Sequence, residues 1–160
     1  MDDAIKTAVK TAIKAESLGV TFYAELAKKY ADNPELNEMF KLLARDEVEH
    51  KKQFEDILNS LGDSVGSTDQ ADIEFLKSLD ISVFFAGMES IDTKLTPAQV
   101  LESAFNFEKE SVLYYSAMRD VIGKSPQLDE IIRIEKLHMS QLMKILASDS
   151  RFRGMSDTWV

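Results

Sequence analysis

Both histidines of this chain follow a glutamate by three residues, and this spacing constrains the fold more than any other feature of the sequence. The two pairs are Glu47/His50 and Glu135/His138, in a chain of 160 residues. On an α-helix, residues three apart lie on one face, about one turn from each other. A carboxylate and an imidazole placed in this way can bind one metal ion. Each pair also falls within an otherwise apolar helical face, so its burial needs an explanation.

Hydrophobic periodicity predicts an all-α protein with four long helices. A crossover that contains a short helical piece joins the second helix to the third, and a tail follows the fourth. The helices are expected at about residues 3–30, 34–61, 97–122 and 126–147, the crossover at 62–95, the tail at 148–160 and a single domain at 1–147. A crossover of this length allows the second and third helices to run parallel, as in ferritin-like four-helix bundles.

Capping signals support these helix boundaries. Asn33 precedes a proline and is a suitable N-cap for the second helix. Thr96 and Gln99 form the pattern of a capping box at the start of the third helix. Gly62 and Gly123 are natural stops for the second and third helices.

The composition excludes several classes of site and partner. The chain has no cysteine, so it contains no disulfide, thiolate zinc site or iron–sulfur cluster. A net charge of −9 without a basic stripe argues against nucleic-acid binding. No apolar run approaches the ~20 residues that span a bilayer, and the first residues do not resemble a signal peptide. We therefore expect a cytoplasmic protein with no membrane partner.

The third long helix repeats the pattern of the first. Glu16 and Glu108 each interrupt an apolar face, and each is followed by a tyrosine after 7 residues and by a proline after 18. The glutamate of each Glu-x-x-His pair then follows its proline by 13 residues in the first half and by 9 in the second. The difference of four residues is about one helical turn, so it shortens a helix without rotating its inward face. The chain thus contains two helix pairs of one design.

Folded together, the two helix pairs would place four carboxylates and two imidazoles side by side. Burial of four acids without positive charge is very costly, and no lysine or arginine falls near them on the apolar faces. Two divalent cations would balance the four negative charges, and a mixed set of carboxylates and imidazoles suits iron or manganese. The predicted metal ligands are Glu16, Glu47, His50, Glu108, Glu135 and His138.

Tyr23 and Tyr115 lie two helical turns from the first-helix and third-helix glutamates. One interpretation makes them core tyrosines whose hydroxyls are satisfied by hydrogen bonds. The alternative gives them a catalytic part, either by supporting the ligands or by relaying a radical. Three further glutamates point away from the inward faces and are expected in solvent: Glu49, Glu102 and Glu110.

The ordered set of Glu16, Glu47-x-x-His50, Glu108 and Glu135-x-x-His138, with its long crossover, resembles the ferritin-like di-iron carboxylate proteins and, among them, the rubrerythrin family. The resemblance covers residues 3–147. It implies an antiparallel four-helix bundle with two iron ions, for which manganese or zinc could substitute. It also implies reaction with peroxide or dioxygen, and a homodimer.

Two features depart from the pattern of that family. Rubrerythrins usually carry a rubredoxin domain with four cysteines, and the absence of cysteine here implies an external electron-donor protein. They also usually have a second glutamate one turn from the third-helix ligand. Phe105 and Ser111 stand at the corresponding places, so the expected site is closer to the six-ligand centres of bacterioferritin type.

Three functions are consistent with the sequence. The leading hypothesis is a di-iron oxidoreductase that reduces peroxide or dioxygen with electrons from the external donor. The alternative is an iron-binding ferroxidase of ferritin-like type, for which iron itself is the substrate. The third is a metal-free helical bundle that acts as an interaction module.

Overall fold

Five α-helices make up almost all of the protein that the computed structural model describes, which is residues 2–61, 69–79, 81 and 95–148. The helices are α1 (Asp2–Lys29), α2 (Pro34–Ser60), α3 (Gln70–Ser78), α4 (Pro97–Ile122) and α5 (Pro126–Ser148). The described ranges contain no β-strand. The prediction of an all-α, ferritin-like bundle is confirmed.

The helix ends follow the capping chemistry of the sequence. The Asn33 side chain accepts a hydrogen bond of 3.2 Å from the backbone N–H of Leu36 and caps α2. Thr96 and Gln99 form the predicted capping box, in which each side chain accepts from the other residue's backbone N–H. Gly123 ends α4 with φ of 87°, a conformation that residues with a Cβ rarely adopt.

The long helices pair as two hairpins. A turn of four residues, 30–33, joins α1 to α2, and a turn of three residues, 123–125, joins α4 to α5. The most extensive contacts lie within these hairpins, and α1 also contacts α4 while α2 contacts α5. The apolar core between the hairpins includes Phe40, Phe54 and Leu142, which are fully buried. Its middle layer is polar, and that layer is the candidate site.

The crossover is described in part. Helix α3 packs on α1 and α4 through buried Ile73 and Leu76. The proposed stop at Gly62, most of the predicted crossover and the tail after residue 148 lie outside the described residues. Within the described ranges, no helix is long and apolar enough to cross a bilayer.

Candidate metal centre

The six predicted ligands meet in the middle of the bundle. Glu16 comes from α1, Glu108 from α4, and a Glu-x-x-His pair from each of α2 and α5. The four glutamate side chains are fully buried, and the two histidines are 3% and 1% exposed. Each residue reaches the centre because it stands at an inward position of an amphipathic helix.

The ligand atoms form two overlapping groups. The first contains Glu16, Glu47, His50 and Glu135, and the second contains Glu47, Glu108, Glu135 and His138. Within each group, one donor atom per residue lies within 4.8 Å of every other. Glu47 and Glu135 belong to both groups, as carboxylates that bridge two cations would. When each residue is exchanged for its counterpart in the other helix pair, the first group becomes the second.

Both histidines present Nδ1 to the carboxylates. The Nδ1 of His138 lies 3.0 Å from Glu135 and 3.6 Å from Glu108. The Nδ1 of His50 lies 3.2 Å from Glu135 Oε1, although without hydrogen-bond alignment, and 3.7 Å from Glu16. The two rings are 5.8 Å apart. Each glutamate group therefore has one imidazole nitrogen within reach of a shared cation.

Many of the carboxylate and imidazole atoms in this cluster have no hydrogen-bond partner among the described residues. They are one oxygen each of Glu16, Glu108 and Glu135, both oxygens of Glu47, and Nδ1 of His50. Buried polar atoms are almost always satisfied, so an unsatisfied set that faces one point indicates a missing partner common to all. Two divalent cations fit this set by charge and by donor type. The metal ligation by these residues stays a prediction, which the arrangement supports.

Comparison with known families gives one match. The family model named Rubrerythrin matches residues 8–79, which include the ligands of α1 and α2. Over this stretch, which is less than half of the chain, the sequence is similar to the rubrerythrin family. The remaining predicted ligands lie in the second hairpin, outside the matched residues. Comparisons with curated proteins and with solved structures gave no match.

Two tyrosines connect the two helix pairs at the candidate centre by hydrogen bonds. The hydroxyl of Tyr23 on α1 donates to Glu108 on α4, and that of Tyr115 on α4 donates to Glu16 on α1. Burial, reinforced by the nearby carboxylates, raises the pKa of both hydroxyls well above the ordinary value. Both therefore keep their protons and act as donors at neutral pH. These contacts are those of core tyrosines satisfied by hydrogen bonds, and they leave one oxygen of each glutamate for a cation.

In the absence of metal, the histidines carry the positive charge of the candidate centre. Burial alone would lower their pKa values, because a charged ring loses hydration. The carboxylates of Glu135 and Glu16 instead raise the pKa of His50 to about 10. Those of Glu108 and Glu135 raise the pKa of His138 to about 11. Both rings are therefore protonated at neutral pH until a cation displaces the proton.

The pKa values of three glutamates in the cluster are shifted, two upward and one downward. Burial and repulsion between neighbouring glutamates raise the pKa of Glu47 well above its ordinary value and that of Glu108 to about 8. Burial would also raise the pKa of Glu135, but contacts with His138 and His50 hold it well below the usual range. Glu135 is therefore ionised between the two rings and Glu108 holds a proton at neutral pH, while the raised pKa of Glu47 favours its protonated form.

Gly19 makes room for one of the bridging carboxylates. A Cβ added at this position would lie 2.6 Å from Glu47 Oε2 and 3.1 Å from its Cδ. Glycine lies one turn after Glu16 on the inner face of α1, and its missing side chain lets the Glu47 carboxylate rest against the helix.

Asp46 is a functional candidate that sequence analysis missed. Its Oδ2 lies 3.2 Å from Nε2 of His138, on the side of the ring that faces away from the glutamates. A carboxylate at the second nitrogen of a metal-ligating histidine fixes the orientation of the ring. The counterpart of Asp46 in the second helix pair is Ile134, which has no carboxylate. This difference between the two halves of the repeat is the feature of the sequence that could have identified Asp46.

The three glutamates that were predicted to point into solvent do not reach the centre. Glu49 and Glu102 are exposed, whereas Glu110 is half-buried beside Lys109, with 3.5 Å between its carboxylate and the ammonium. On α4, the positions that could have held an additional glutamate carry partly buried Phe105 and fully buried Ser111. Among the described residues, the candidate centre thus offers six side chains of carboxylate or imidazole type.

Proposed function

We propose that the protein is a non-haem di-iron oxidoreductase that reduces peroxide or dioxygen with electrons from another protein. The observation that carries the proposal is the pair of overlapping donor groups that share Glu47 and Glu135. The match of the Rubrerythrin family model to residues 8–79 supports it. The same proposal includes the formation of a homodimer.

The six side chains would hold two iron ions between the hairpins. When bound, the iron pair supplies the two electrons that convert hydrogen peroxide and two protons into two water molecules, and the external donor restores them. The protein contributes geometry and exclusion of solvent, because every ligand side chain is buried. Tyr23 and Tyr115 hold Glu108 and Glu16 in place by donating to one oxygen of each.

Metal content tests the first half of this proposal. Iron-loaded protein should contain about two iron ions per chain by elemental analysis. Glu47→Ala and Glu135→Ala each remove a carboxylate that belongs to both groups, so each variant should lose at least one ion. Glu49→Ala, on the exposed side of α2, is the matched control and should keep both. Full metal content in the Glu47 and Glu135 variants would reject the site.

Turnover tests the second half. With excess hydrogen peroxide and a one-electron reductant, an oxidoreductase should consume many equivalents of peroxide per chain. The charge-transfer absorption of the oxidised centre should appear and disappear with each cycle. Loss of turnover in Glu135→Ala, but not in Glu49→Ala, would assign the reaction to the centre.

A ferroxidase that handles iron is the second candidate, and the α4 positions favour it. Phe105 and Ser111 provide no additional carboxylate, so the proposed centre would have the six ligands of a symmetric iron-oxidising site. A ferroxidase would oxidise added ferrous ions and then release or transfer them. Its consumption of oxidant would follow the amount of iron added rather than the amount of reductant, and this dependence distinguishes the two functions.

A further inference from the structure

Ser111 carries a buried hydroxyl that the protein does not satisfy. Its side chain is fully buried on α4, and its Oγ has no hydrogen-bond partner. Two other serines within long helices return their hydroxyls to the carbonyl four residues earlier. These are Ser17, which donates to Ile13, and Ser103, which donates to Gln99, both at 2.9 Å. Ser111 does not make this hydrogen bond to its own helix, so its hydroxyl can form a hydrogen bond with another group.

The position of Ser111 directs its side chain toward the carboxylates. It lies three residues after Glu108 and four before Tyr115, and both of these side chains reach the centre. At about 100° per residue, its direction is within about 60° of both. Its counterpart in the first helix pair is Gly19, where an added Cβ would lie 2.6 Å from Glu47 Oε2. The Cα–Cβ bond of Ser111 therefore has the corresponding inward direction.

The polar atoms of the ligand cluster and the Ser111 hydroxyl lack partners for different reasons. Carboxylate and imidazole atoms are preferred ligands of iron, so metal would satisfy them. A neutral hydroxyl is a much poorer ligand, but it is a good donor and acceptor of hydrogen bonds. An unsatisfied buried hydroxyl is destabilising, and a small molecule bound at the centre would relieve this cost.

We propose that the Ser111 hydroxyl binds the small molecule that enters the metal centre, by donating a hydrogen bond to it. The molecule is water in the resting protein and peroxide during turnover. This inference rests on the proposed metal centre. It assigns Ser111 a binding role on the α4 side of the cluster. The counterpart on α1, Gly19, has no side chain that could play this role.

Azide is a suitable probe, because it is a small anion that accepts hydrogen bonds and changes the absorption of oxidised iron. We expect Ser111→Ala to weaken azide binding to the iron-loaded protein by about tenfold, the effect of one hydrogen bond to a charged ligand. Iron content should stay at two per chain, and the stability of the metal-free protein should not fall, because the hydroxyl has no protein partner to lose.

Two further variants control this experiment. Ser103→Ala makes the same chemical change at an exposed position of α4 and should leave azide binding unchanged. Ser111→Thr keeps the hydroxyl and should retain most of the affinity. Equal azide affinity in wild-type protein and Ser111→Ala, or loss of iron or of stability in Ser111→Ala, would overturn the inference. Wild-type protein that binds neither iron nor azide would overturn the proposed function itself, and the inference with it.

Discussion

At the scale of single residues, the two glutamates that belong to both donor groups, Glu47 and Glu135, occupy different surroundings although the repeat makes them equivalent. Glu47 rests against Gly19 and has no hydrogen-bond partner at either oxygen. Glu135 lies between the two histidines, with 3.0 Å to Nδ1 of His138 and 3.2 Å to Nδ1 of His50. One carboxylate is therefore held by the shape of a helix and the other by charge. The same substitution should have different consequences at the two places.

Gly19→Ala tests whether helix shape positions Glu47. Alanine favours a helix over glycine by about 1 kcal/mol, so the substitution does not weaken α1 by itself. Its Cβ would nevertheless displace the Glu47 carboxylate, and we expect weaker metal binding at both positions. Thr21→Ala, at an exposed position of the same helix, is the control. Metal titration of the two variants makes the comparison, and equal affinities would contradict the role of Gly19.

Tyr115→Phe tests the hydrogen bond that reaches across the bundle. The aromatic ring and its contact with Phe54 remain, but Glu16 loses its donor. A hydrogen bond to a charged group contributes about 1.5–3 kcal/mol, so the free energy of unfolding should fall by that amount at fixed metal concentration. Tyr30→Phe is the control, because the Tyr30 hydroxyl has no partner and its removal should be nearly neutral. Urea unfolding measures both, and equal effects would reject the assignment.

At the scale of helices, Asp46 connects α2 to α5 through the ring of His138. The contact couples the packing angle of these helices to the orientation of a ligand, because the ring is held from both of its nitrogens. His50 lacks a counterpart of this contact from position 134, where the repeat has isoleucine. The two metal positions should therefore differ in affinity.

Asp46→Ala should expose that difference. Loss of such a supporting carboxylate typically costs about 10–100-fold in metal affinity, and the cost should fall on the position served by His138. A calorimetric titration should then change from two tight events to one tight and one weakened event. Asp56→Ala removes an exposed acid from the same helix and controls for charge. A uniform loss at both positions would show that Asp46 acts on the bundle rather than on one ligand.

The sequence predicts some of these helix-level features and not others. The six buried residues could be predicted, because Glu-x-x-His spacing and the repeat place them on inward faces whatever the exact packing. The crossed contacts of Tyr23 and Tyr115 could not, because they depend on the stagger and rotation of α1 against α4. Asp46 is partly exposed and lies at the edge of the inward face, so periodicity alone predicts a solvated side chain.

At the scale of the whole molecule, metal-free and metal-bound proteins differ in bound protons. Without metal, both histidines and Glu108 hold protons at neutral pH, since the pKa values of His50, His138 and Glu108 are raised to about 10, 11 and 8. Metal binding requires the ligands to be deprotonated. Uptake of metal should therefore release protons, and affinity should increase with pH.

The same shifts predict how the stability of metal-free protein depends on pH. A raised pKa in the folded state gives stability that is present below the unfolded value and lost as pH rises through the folded one. Glu108 contributes this loss between about 4.5 and 8, and the histidines contribute it from about 6.5 to about 10 and 11. Each proton retained on folding corresponds to about 1.4 kcal/mol per pH unit.

Urea unfolding of chelator-treated protein from pH 5 to 9 measures this dependence. We expect the free energy of unfolding to fall steadily across the range. Glu135 has a lowered pKa and acts in the opposite sense, but its contribution is lost only below its unfolded value, outside the range tested. Stability that rises from pH 5 to 7 would contradict the assigned protonation states.

Replacing each residue by its counterpart in the other helix pair converts one donor group into the other. This equivalence corresponds to an approximate twofold axis through the bundle. Two identical half-length chains placed about such an axis would present the same six donors and the same crossed tyrosines. The single chain has an option that this symmetric pair lacks, because a change in one half need not be copied in the other. Asp46 opposite Ile134, and Ser111 opposite Gly19, are changes of this kind. Covalent union of two equal halves thus allows evolution to adjust one metal position, and the molecule bound there, independently of the other.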